Sequence, residues 1–184
     1  MKKIPTLFER IFEGHKIIGI NPKITEGCEN AFLHGIATVK IDGSCCAIIH
    51  GNFYKRYDAK GKNAPEGAIP CQEEPDAITG HFPCWVKCDR SNKADKWFWK
   101  AYDFAPEHTD GTYEAIGKHF QGNPYNMESD VIVPHGRQVI EIERTFEAVK
   151  EWLSSNNEEG IVFWLDNKPV CKIKRSDFGL KWNR

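Results

Sequence analysis

The stretch that decides the fold is Ile36-Ala37-Thr38-Val39-Lys40-Ile41-Asp42-Gly43. Its apolar and β-branched residues predict a strand, and side chains along a strand alternate between the two faces of a sheet. Val39 and Ile41 should therefore face the core, while Lys40 and Asp42 project from the opposite face. Gly43 then begins a turn, so Lys40 lies near the end of its strand.

The rest of the chain mixes further strands with helix. Apolar residues recur at helical spacing within residues 145 to 155, which predicts an amphipathic helix. Other predicted segments are a strand at 45–49, an irregular excursion at 61–96, a strand at 97–104, a strand or short helix at 112–120, strands at 131–133 and 139–142 around the turn Pro134-His135-Gly136, and a hairpin of 160–165 with 169–174. This pattern indicates an α+β fold with antiparallel strands rather than regular βαβ alternation.

Length and composition predict one globular domain over residues 1–184. Hydrophobic residues make up 40% of the chain and charged residues 28%, which excludes a disordered tail. We expect a cytoplasmic protein with no membrane partner, because no apolar run could cross a bilayer and the basic start at Met1-Lys2-Lys3 has no apolar stretch after it. A monomer is the default expectation, although nothing in the sequence sets the oligomeric state.

The net charge of −1 excludes a global basic signature of nucleic-acid binding. Two local basic stretches remain, and each predicts either a solvated face or a groove for phosphates. One runs from Lys168 to Arg184 and contains six basic residues and one acidic residue. The other consists of Lys87, Arg90, Lys93, Lys96 and Lys100.

The seven cysteines do not predict a disulfide framework, because the number is odd and the expected compartment is reducing. The tightest grouping is Cys71, His81, Cys84 and Cys88. It allows a structural zinc site, but its spacing is not that of a standard pair of zinc knuckles. Free thiols are the alternative.

Lys40 is a candidate nucleophile because a lysine at a strand end, followed by glycine, can do covalent chemistry if its amine is neutral. The ordinary pKa of lysine near 10.4 makes a neutral amine rare at pH 7, so neighbouring cations or desolvation must lower it. The alternative is a surface lysine before a turn.

Lys172 and Lys174 project from one face of a predicted strand, with Cys171 and Ile173 on the other face. Two adjacent lysines repel each other unless an anion such as a nucleotide α-phosphate lies between them, and they would also lower the pKa of a third lysine nearby. The alternative is an exposed edge strand, which lysines protect from aggregation.

Glu159 stands directly before the apolar run Gly160-Ile161-Val162-Phe163. A carboxylate in this position is well placed to bind a divalent cation, because Mg²⁺ prefers one or two carboxylates together with water and phosphate oxygens. The alternative is a loop that ends a helix at a glycine.

The order of these features resembles motifs I, III, IV and V of the lysine-dependent nucleotidyltransferases, which comprise DNA ligases, RNA ligases and mRNA capping enzymes. The matching segments are Lys40-Ile41-Asp42-Gly43, Glu114, Glu159-Gly160-Ile161-Val162 and Lys172-Ile173-Lys174. Within this group the chain is similar to the RNA ligase 1 family of 5′-to-3′ RNA ligases. The segments that carry this closer resemblance are Lys40-Ile41-Asp42-Gly43-Ser44-Cys45-Cys46, Tyr113-Glu114-Ala115-Ile116-Gly117, Gly122-Asn123-Pro124-Tyr125, Ile132-Val133-Pro134-His135-Gly136 and Gly179-Leu180-Lys181-Trp182.

The resemblance implies a nucleotidyltransferase fold of the ligase adenylation type, with antiparallel sheets flanked by helices around a nucleotide cleft and no OB domain. It implies that Lys40 takes AMP from ATP as lysyl-AMP and that Glu159 binds Mg²⁺ or Mn²⁺. The implied nucleotide-binding residues are Gly43, Arg56, Glu114, Lys172 and Lys174. His135 is a candidate for stacking on adenine, and a turn histidine with a local hydrogen bond is the alternative.

The function that this resemblance implies is ATP-dependent joining of RNA 5′-phosphate and 3′-OH ends. AMP would pass from Lys40 to the RNA 5′-phosphate, and the 3′-OH would then displace it. DNA nick ligation and guanylyl transfer are close alternatives, but only ten residues follow Lys174, so we expect no OB domain. The alternative from another class is a non-catalytic nucleotide- or RNA-binding module.

Overall fold

The computed structural model describes residues 1–14, 16–61, 63–77 and 79–182. The chain divides into two compact units, which we name after their main sheets. The four-strand unit comprises residues 4–41 and 136–182, and the six-strand unit comprises residues 1–3 and 42–135. This division does not test the predicted single domain, which stays a prediction.

Strands outnumber helices in both units. The strands are β1 (Phe8–Glu13), β2 (Lys16–Ile24), β3 (Ile36–Lys40), β4 (Ser44–Ile49), β5 (Asn52–Lys60), β6 (Ile69–Pro70), β7 (His81–Lys87), β8 (Gly111–Ile116), β9 (Val131–Pro134), β10 (Val139–Ile140), β11 (Gly160–Leu165) and β12 (Lys168–Lys174). The α-helices are α1 (Glu29–His34), α2 (Lys96–Phe104) and α3 (Phe146–Ser155), with 3-10 helices at Lys93–Asp95 and Arg175–Phe178. Among the described residues, no helix has both the length and the apolar character needed to cross a bilayer.

The four-strand unit has a main sheet of order β10-β3-β11-β12, in which all neighbouring strands are antiparallel, and a separate β1-β2 hairpin. Its core contains Phe8, Phe32 and Phe163, whose rings meet edge to face at centroid distances of 5.8 and 5.3 Å. The segment before β1 pairs with β12, because the Leu7 amide donates to the Lys172 carbonyl oxygen at 2.7 Å. The backbone of β12 is therefore paired at Lys172 instead of forming an open edge.

The six-strand unit has a sheet of order β6-β7-β5-β4-β8-β9, again with antiparallel neighbours. Helix α2 packs against β8 and β9. The core beneath it includes Phe53 of β5 and Tyr102 of α2, with ring centroids 4.8 Å apart. The two units thus have separate hydrophobic cores, each built on one face of a sheet.

Helix α2 shows that the predicted strand at residues 97–104 is wrong. The run Trp97-Phe98-Trp99 looks like a buried strand, but the apolar residues continue at helical spacing through the fully buried Ala101. The Asn92 side chain accepts from the Ala94 amide at 3.0 Å and so caps the 3-10 turn that leads into α2. Packing against β8 and β9 decides which face of this aromatic segment is buried.

The predicted irregular excursion at residues 61–96 is wrong in part. β7 lies inside the six-strand sheet between β6 and β5, and its Phe82, Cys84 and Trp85 are buried. Proline and charged residues on both sides conceal this strand in the sequence. Its partner β5 is fixed by long-range pairing, which local composition does not reveal.

Several local predictions are confirmed. Helix α3 begins after Thr145, whose hydroxyl accepts from the Ala148 amide at 3.2 Å. β11 and β12 form the predicted hairpin, with positive φ angles of 49° and 59° at Asp166 and Asn167. Residues 111–116 take the strand alternative. Antiparallel sheets with few helices agree with the predicted α+β class.

Candidate active site

Lys40, Gly160 and Lys174 lie side by side on three neighbouring strands of the four-strand unit. Gly160 of β11 is directly opposite Lys40 of β3 on one side and Lys174 of β12 on the other. Opposite residues in antiparallel strands project from the same face of a sheet. Both lysines therefore leave the sheet on the face opposite the fully buried Ile161 and Ile173.

The predicted alternation holds at Val39 and Lys40 but not along all of β3, since Thr38 is also buried. Val39 is buried and Lys40 is half-buried, as the strand period requires. β3 ends at Lys40, so the alternation does not continue to Asp42, which is buried. The Asp42 amide donates to the hydroxyl of Tyr125 at 2.7 Å within the six-strand unit.

The carboxylate of Glu159 joins the two lysines. Lys174 Nζ donates to Oε1 at 2.8 Å, and Lys40 Nζ donates to Oε2. The Glu159 side chain is only 4% exposed, whereas Lys40 and Lys174 are 20% and 30% exposed. A desolvated carboxylate is costly unless it is paired, and two ammonium groups provide that compensation here.

Gly160 gives this cluster its close spacing. A Cβ atom at Gly160 would lie 2.2 Å from the carbonyl oxygen of Ile173 and 3.1 Å from Cα of Lys174. No side chain larger than hydrogen fits there without moving β12. The glycine therefore brings the strand that follows Glu159 close to the strand that carries Lys174.

Side chains alternate along β12, and Cys171 and Ile173 are fully buried on one face of the sheet. Lys172 therefore projects from the opposite face, as Lys174 does. Lys40, Lys172 and Lys174 with Glu159 give this face three positive charges and one negative charge. Ammonium groups gathered on one sheet face favour binding of an anion such as a phosphate group.

Asp177 is a supporting residue that the sequence predictions missed. It is buried, accepts from the Lys174 amide at 2.9 Å, and forms an ion pair with Arg10 at 2.9 Å. These contacts fix the end of β12 where Lys174 projects. Asp177 caps the 3-10 helix that follows Lys174. The spacing Lys174-x-x-Asp177 is therefore the sequence signal by which Asp177 could have been found.

Glu159 has the right chemistry for one ligand of Mg²⁺, but a single carboxylate needs phosphate oxygens and water to complete the shell. Both of its oxygens accept from ammonium groups in this structure. A cation could therefore bind Glu159 once the phosphates of a nucleotide replace the carboxylate as partners of these ammonium groups. The residues suit a metal that arrives with a nucleotide.

Glu114 and His135 form a second cluster, which lies in the six-strand unit. His135 Nε2 is 2.7 Å from Glu114 Oε2, and its Nδ1 is 3.0 Å from Thr112 Oγ1. Glu114 is buried. Both ring nitrogens of His135 thus have local partners, which agrees with a turn histidine that makes local hydrogen bonds. Stacking of His135 on adenine stays a prediction.

Cys45 lies beside this pair. Cys45, Glu114 and His135 place one potential ligand atom each within 4.8 Å of one another, so they could hold a metal ion. Burial, and then the charge of Glu114, raises the pKa of the Cys45 thiol to about 12. Within the described part of the chain, Cys71, His81, Cys84 and Cys88, which the sequence allowed as a zinc site, do not form such a group.

Gly43 and Arg56 are the remaining predicted binding residues. A Cβ atom at Gly43 would lie 2.3 Å from the Ala115 carbonyl oxygen. Close packing against β8 is therefore sufficient to explain the glycine. Arg56 forms an ion pair with Asp58 at 3.0 Å. Neither contact tests the nucleotide-binding roles predicted for these residues.

The geometry describes an α+β protein with a lysine cluster built around a buried glutamate. No protein-family model matches the chain. The chain is 29% identical to RNA ligase 1 of Danio rerio over 139 residues, which are 56% of this chain and 42% of that protein. It is 24% identical to RNA ligase 1 of Pongo abelii over 225 aligned positions, which cover 80% of this chain and 68% of that protein.

The chain thus spans less than half of the Danio rerio relative. At these identities, the two similarities support a relationship to RNA ligases. They leave its activity, mechanism, cofactors and substrate ends to proposal.

Proposed function

We propose that this protein is an ATP-dependent RNA ligase that joins 5′-phosphate and 3′-OH ends through lysyl-AMP at Lys40. The observation that carries the proposal is the ion-paired cluster of Lys40, Glu159 and Lys174 on one sheet face. The similarity to two proteins named RNA ligase 1 supports the choice of RNA as substrate. The nucleotidyltransferase fold and a cytoplasmic location belong to the same proposal.

The first step is attack by Lys40 Nζ on the α-phosphorus of ATP, which forms an N–P bond and releases pyrophosphate. Lys40 must lose a proton before it attacks, and the Glu159 carboxylate is the hydrogen-bond acceptor at its Nζ. Lys172 and Lys174 leave the same sheet face and would stabilise the negative charge on the α-phosphate. When bound, Mg²⁺ or Mn²⁺ would neutralise phosphate charge, with Glu159 as its protein ligand.

The later steps need little further covalent chemistry from the protein. The RNA 5′-phosphate attacks the AMP phosphorus and releases Lys40, and the RNA 3′-OH then attacks the activated end and releases AMP. Positioning and charge neutralisation dominate such transfers. Gly43, Arg56 and Glu114 keep their proposed roles as nucleotide-binding residues.

The test is incubation with α-³²P-labelled ATP and Mg²⁺, followed by a denaturing gel. We expect label on the wild-type protein and none on Lys40→Ala or Lys40→Arg, because neither variant has the amine at that place. A 5′-phosphorylated RNA should become joined, whereas a 5′-hydroxyl RNA should not. Failure to label with any nucleoside triphosphate would contradict the proposal.

Two other outcomes would redirect the assignment. Label from GTP alone would indicate a guanylyltransferase, and sealing of nicked DNA without any joining of RNA would indicate a DNA ligase. Circular dichroism of the Lys40 variants provides the control for folding. Both variants should keep the wild-type spectrum, because Lys174 still pairs with the Glu159 carboxylate when Lys40 is replaced.

A further inference from the structure

A groove of about 630 Å³ runs along α2 in the six-strand unit, and its lining contains none of the residues used in the proposed chemistry. Its lining includes Arg90, Lys93, Lys96, Lys100 and Trp99. Four of the five basic residues in the stretch from Lys87 to Lys100 therefore meet at one concave surface. The helix brings them together, since α2 and the preceding 3-10 turn carry three of the four.

The three lysines of this groove, at positions 93, 96 and 100, have the spacing i, i+3 and i+7. This spacing places them on one side of a helical segment. All three are exposed, and within the described residues none has a carboxylate partner within 4.0 Å. Like charges at i and i+4 destabilise a helix slightly, so this arrangement costs stability that an anionic ligand would restore.

An aromatic surface lies among these charges. Arg90 stacks on the Trp99 ring at 4.0 Å and pairs with Asp103 through two hydrogen bonds at 2.6 and 2.9 Å. The indole Nε1 of Trp99 is buried and has no hydrogen-bond partner among the described residues. A buried donor without a partner is costly to stability.

The groove is held in shape by buried carboxylates. Asp95 accepts from the Asp89 amide at 2.9 Å and from Lys55 Nζ, which fixes the turn before α2. Asp130 accepts from the His119 amide at 3.0 Å and contacts His119 Nδ1 at 2.7 Å. Asp95 and Asp130 are each 1% exposed, with Lys55 as the counter-charge of Asp95 and His119 as the side-chain partner of Asp130.

We propose that this α2 groove binds the phosphodiester backbone of single-stranded RNA, an inference that rests on the proposed function and extends it to substrate recognition. Ammonium groups around aromatic side chains are typical of sites that bind single-stranded nucleic acid without sequence preference. The bound strand would place its phosphates near Lys93, Lys96 and Lys100. Its bases or sugars would contact the side of the groove that Trp99 forms.

The test compares two triple variants of the full chain with equal charge change. Lys93→Gln/Lys96→Gln/Lys100→Gln removes the groove lysines. Lys16→Gln/Lys60→Gln/Lys150→Gln removes three exposed lysines that do not line the groove. The probe is a fluorescent single-stranded RNA with a 5′-hydroxyl, which the proposed chemistry cannot consume, and its binding is measured by anisotropy across a range of KCl concentrations.

We expect the groove variant to bind roughly tenfold more weakly, and the slope of log affinity against log salt to fall by about 2, since each lost phosphate contact removes about 0.7 from that slope. The control variant should stay within about twofold of wild type. Acetylation of lysines followed by mass spectrometry gives a reading on the unaltered protein. RNA should protect Lys93, Lys96 and Lys100 and leave Lys16, Lys60 and Lys150 reactive.

Unchanged RNA affinity and salt slope in the groove variant would overturn the inference, and so would equal acetylation of both lysine sets with RNA. If the groove variant loses affinity for an acidic peptide but not for RNA, the groove binds a protein partner, and the inference is overturned as well. Labelling of Lys40 by ATP without RNA separates this outcome from failure of the proposed function. The groove variant should label like wild type, whereas a protein that never labels refutes the ligase chemistry and leaves the binding result to stand.

Discussion

The protein carries two lysine clusters that differ in nearly every physical respect. In the four-strand unit, Lys40 and Lys174 project from strands and share a carboxylate that is 4% exposed. In the six-strand unit, the lysines of the α2 groove are exposed and have no carboxylate partner among the described residues. A buried carboxylate holds each amine in one place. Exposed amines attract an anion at many different positions along the surface. The first arrangement suits covalent chemistry, and the second suits binding of a flexible polyanion.

Removal of the shared carboxylate should have the greatest effect. Glu159→Gln leaves two neighbouring ammonium groups without their counter-charge and removes the proposed metal ligand. We expect AMP labelling to fall by at least about a hundredfold and the free energy of unfolding to fall by about 2 kcal/mol. The gel assay and urea unfolding measure the two effects.

The matched control for that variant is Asp103→Asn, which removes the exposed partner of Arg90 in the groove. Urea unfolding should show no resolved change in stability, because exposed ion pairs contribute little. An equal loss of stability in both variants would contradict the distinction between a buried and an exposed cluster.

Close packing is the second difference between the two clusters. Gly160→Ala would put Cβ 2.2 Å from the Ile173 carbonyl oxygen, so β11 and β12 must separate and Lys174 must move with them. We expect a loss of about 1–3 kcal/mol in unfolding free energy, as overpacking usually costs, together with weaker AMP labelling.

Gly111→Ala in the six-strand unit is the control, because its nearest new contact would be an ordinary 3.8 Å to the Tyr113 ring. That variant should be as stable as wild type or slightly more stable. If both alanine variants unfold alike, the close approach at Gly160 does not hold the cluster together.

The smallest expected effect concerns the pH response of the groove. Hydrogen bonds from Arg90 lower the pKa of Asp103. A lowered folded-state pKa contributes stability above the unfolded value of about 3.9, and this contribution is lost as pH falls through the folded value. An NMR titration should therefore find the Asp103 pKa below about 3.9 in wild type and near that value in Arg90→Gln.

The effect of the same substitution on stability should be small, because the ion pair is exposed. Any excess of wild type over Arg90→Gln in unfolding free energy at neutral pH should disappear once the pH is below the folded-state pKa of Asp103. An Asp103 pKa that does not move in Arg90→Gln would show that this ion pair does not form in solution.

Local periodicity was enough to predict β3, α3 and the β11-β12 hairpin, because each pattern is strong within a few residues. It was not enough for α2 or β7. The aromatic run at Trp97 is compatible with strand or helix until its packing partner is known, and β7 is identified by its distant partner β5. The sequence also gave no signal for the two-unit organisation.

The residue types of the candidate site were available from the sequence by themselves. Lys40 before a turn, Glu159 before an apolar strand, and Lys172 with Lys174 on one strand face could all be named as candidates, and the resemblance put them in order. Their chemistry follows from the side chains and from the period of a strand.

Only the tertiary structure decided that Glu159 bridges Lys40 and Lys174, and that four basic residues of one stretch line a single groove. The bridge depends on the register that sets Gly160 opposite both lysines. Lys40 and Glu159 are 119 positions apart in the sequence. The groove depends on α2 being a helix. Both are consequences of long-range packing, which local sequence patterns do not encode.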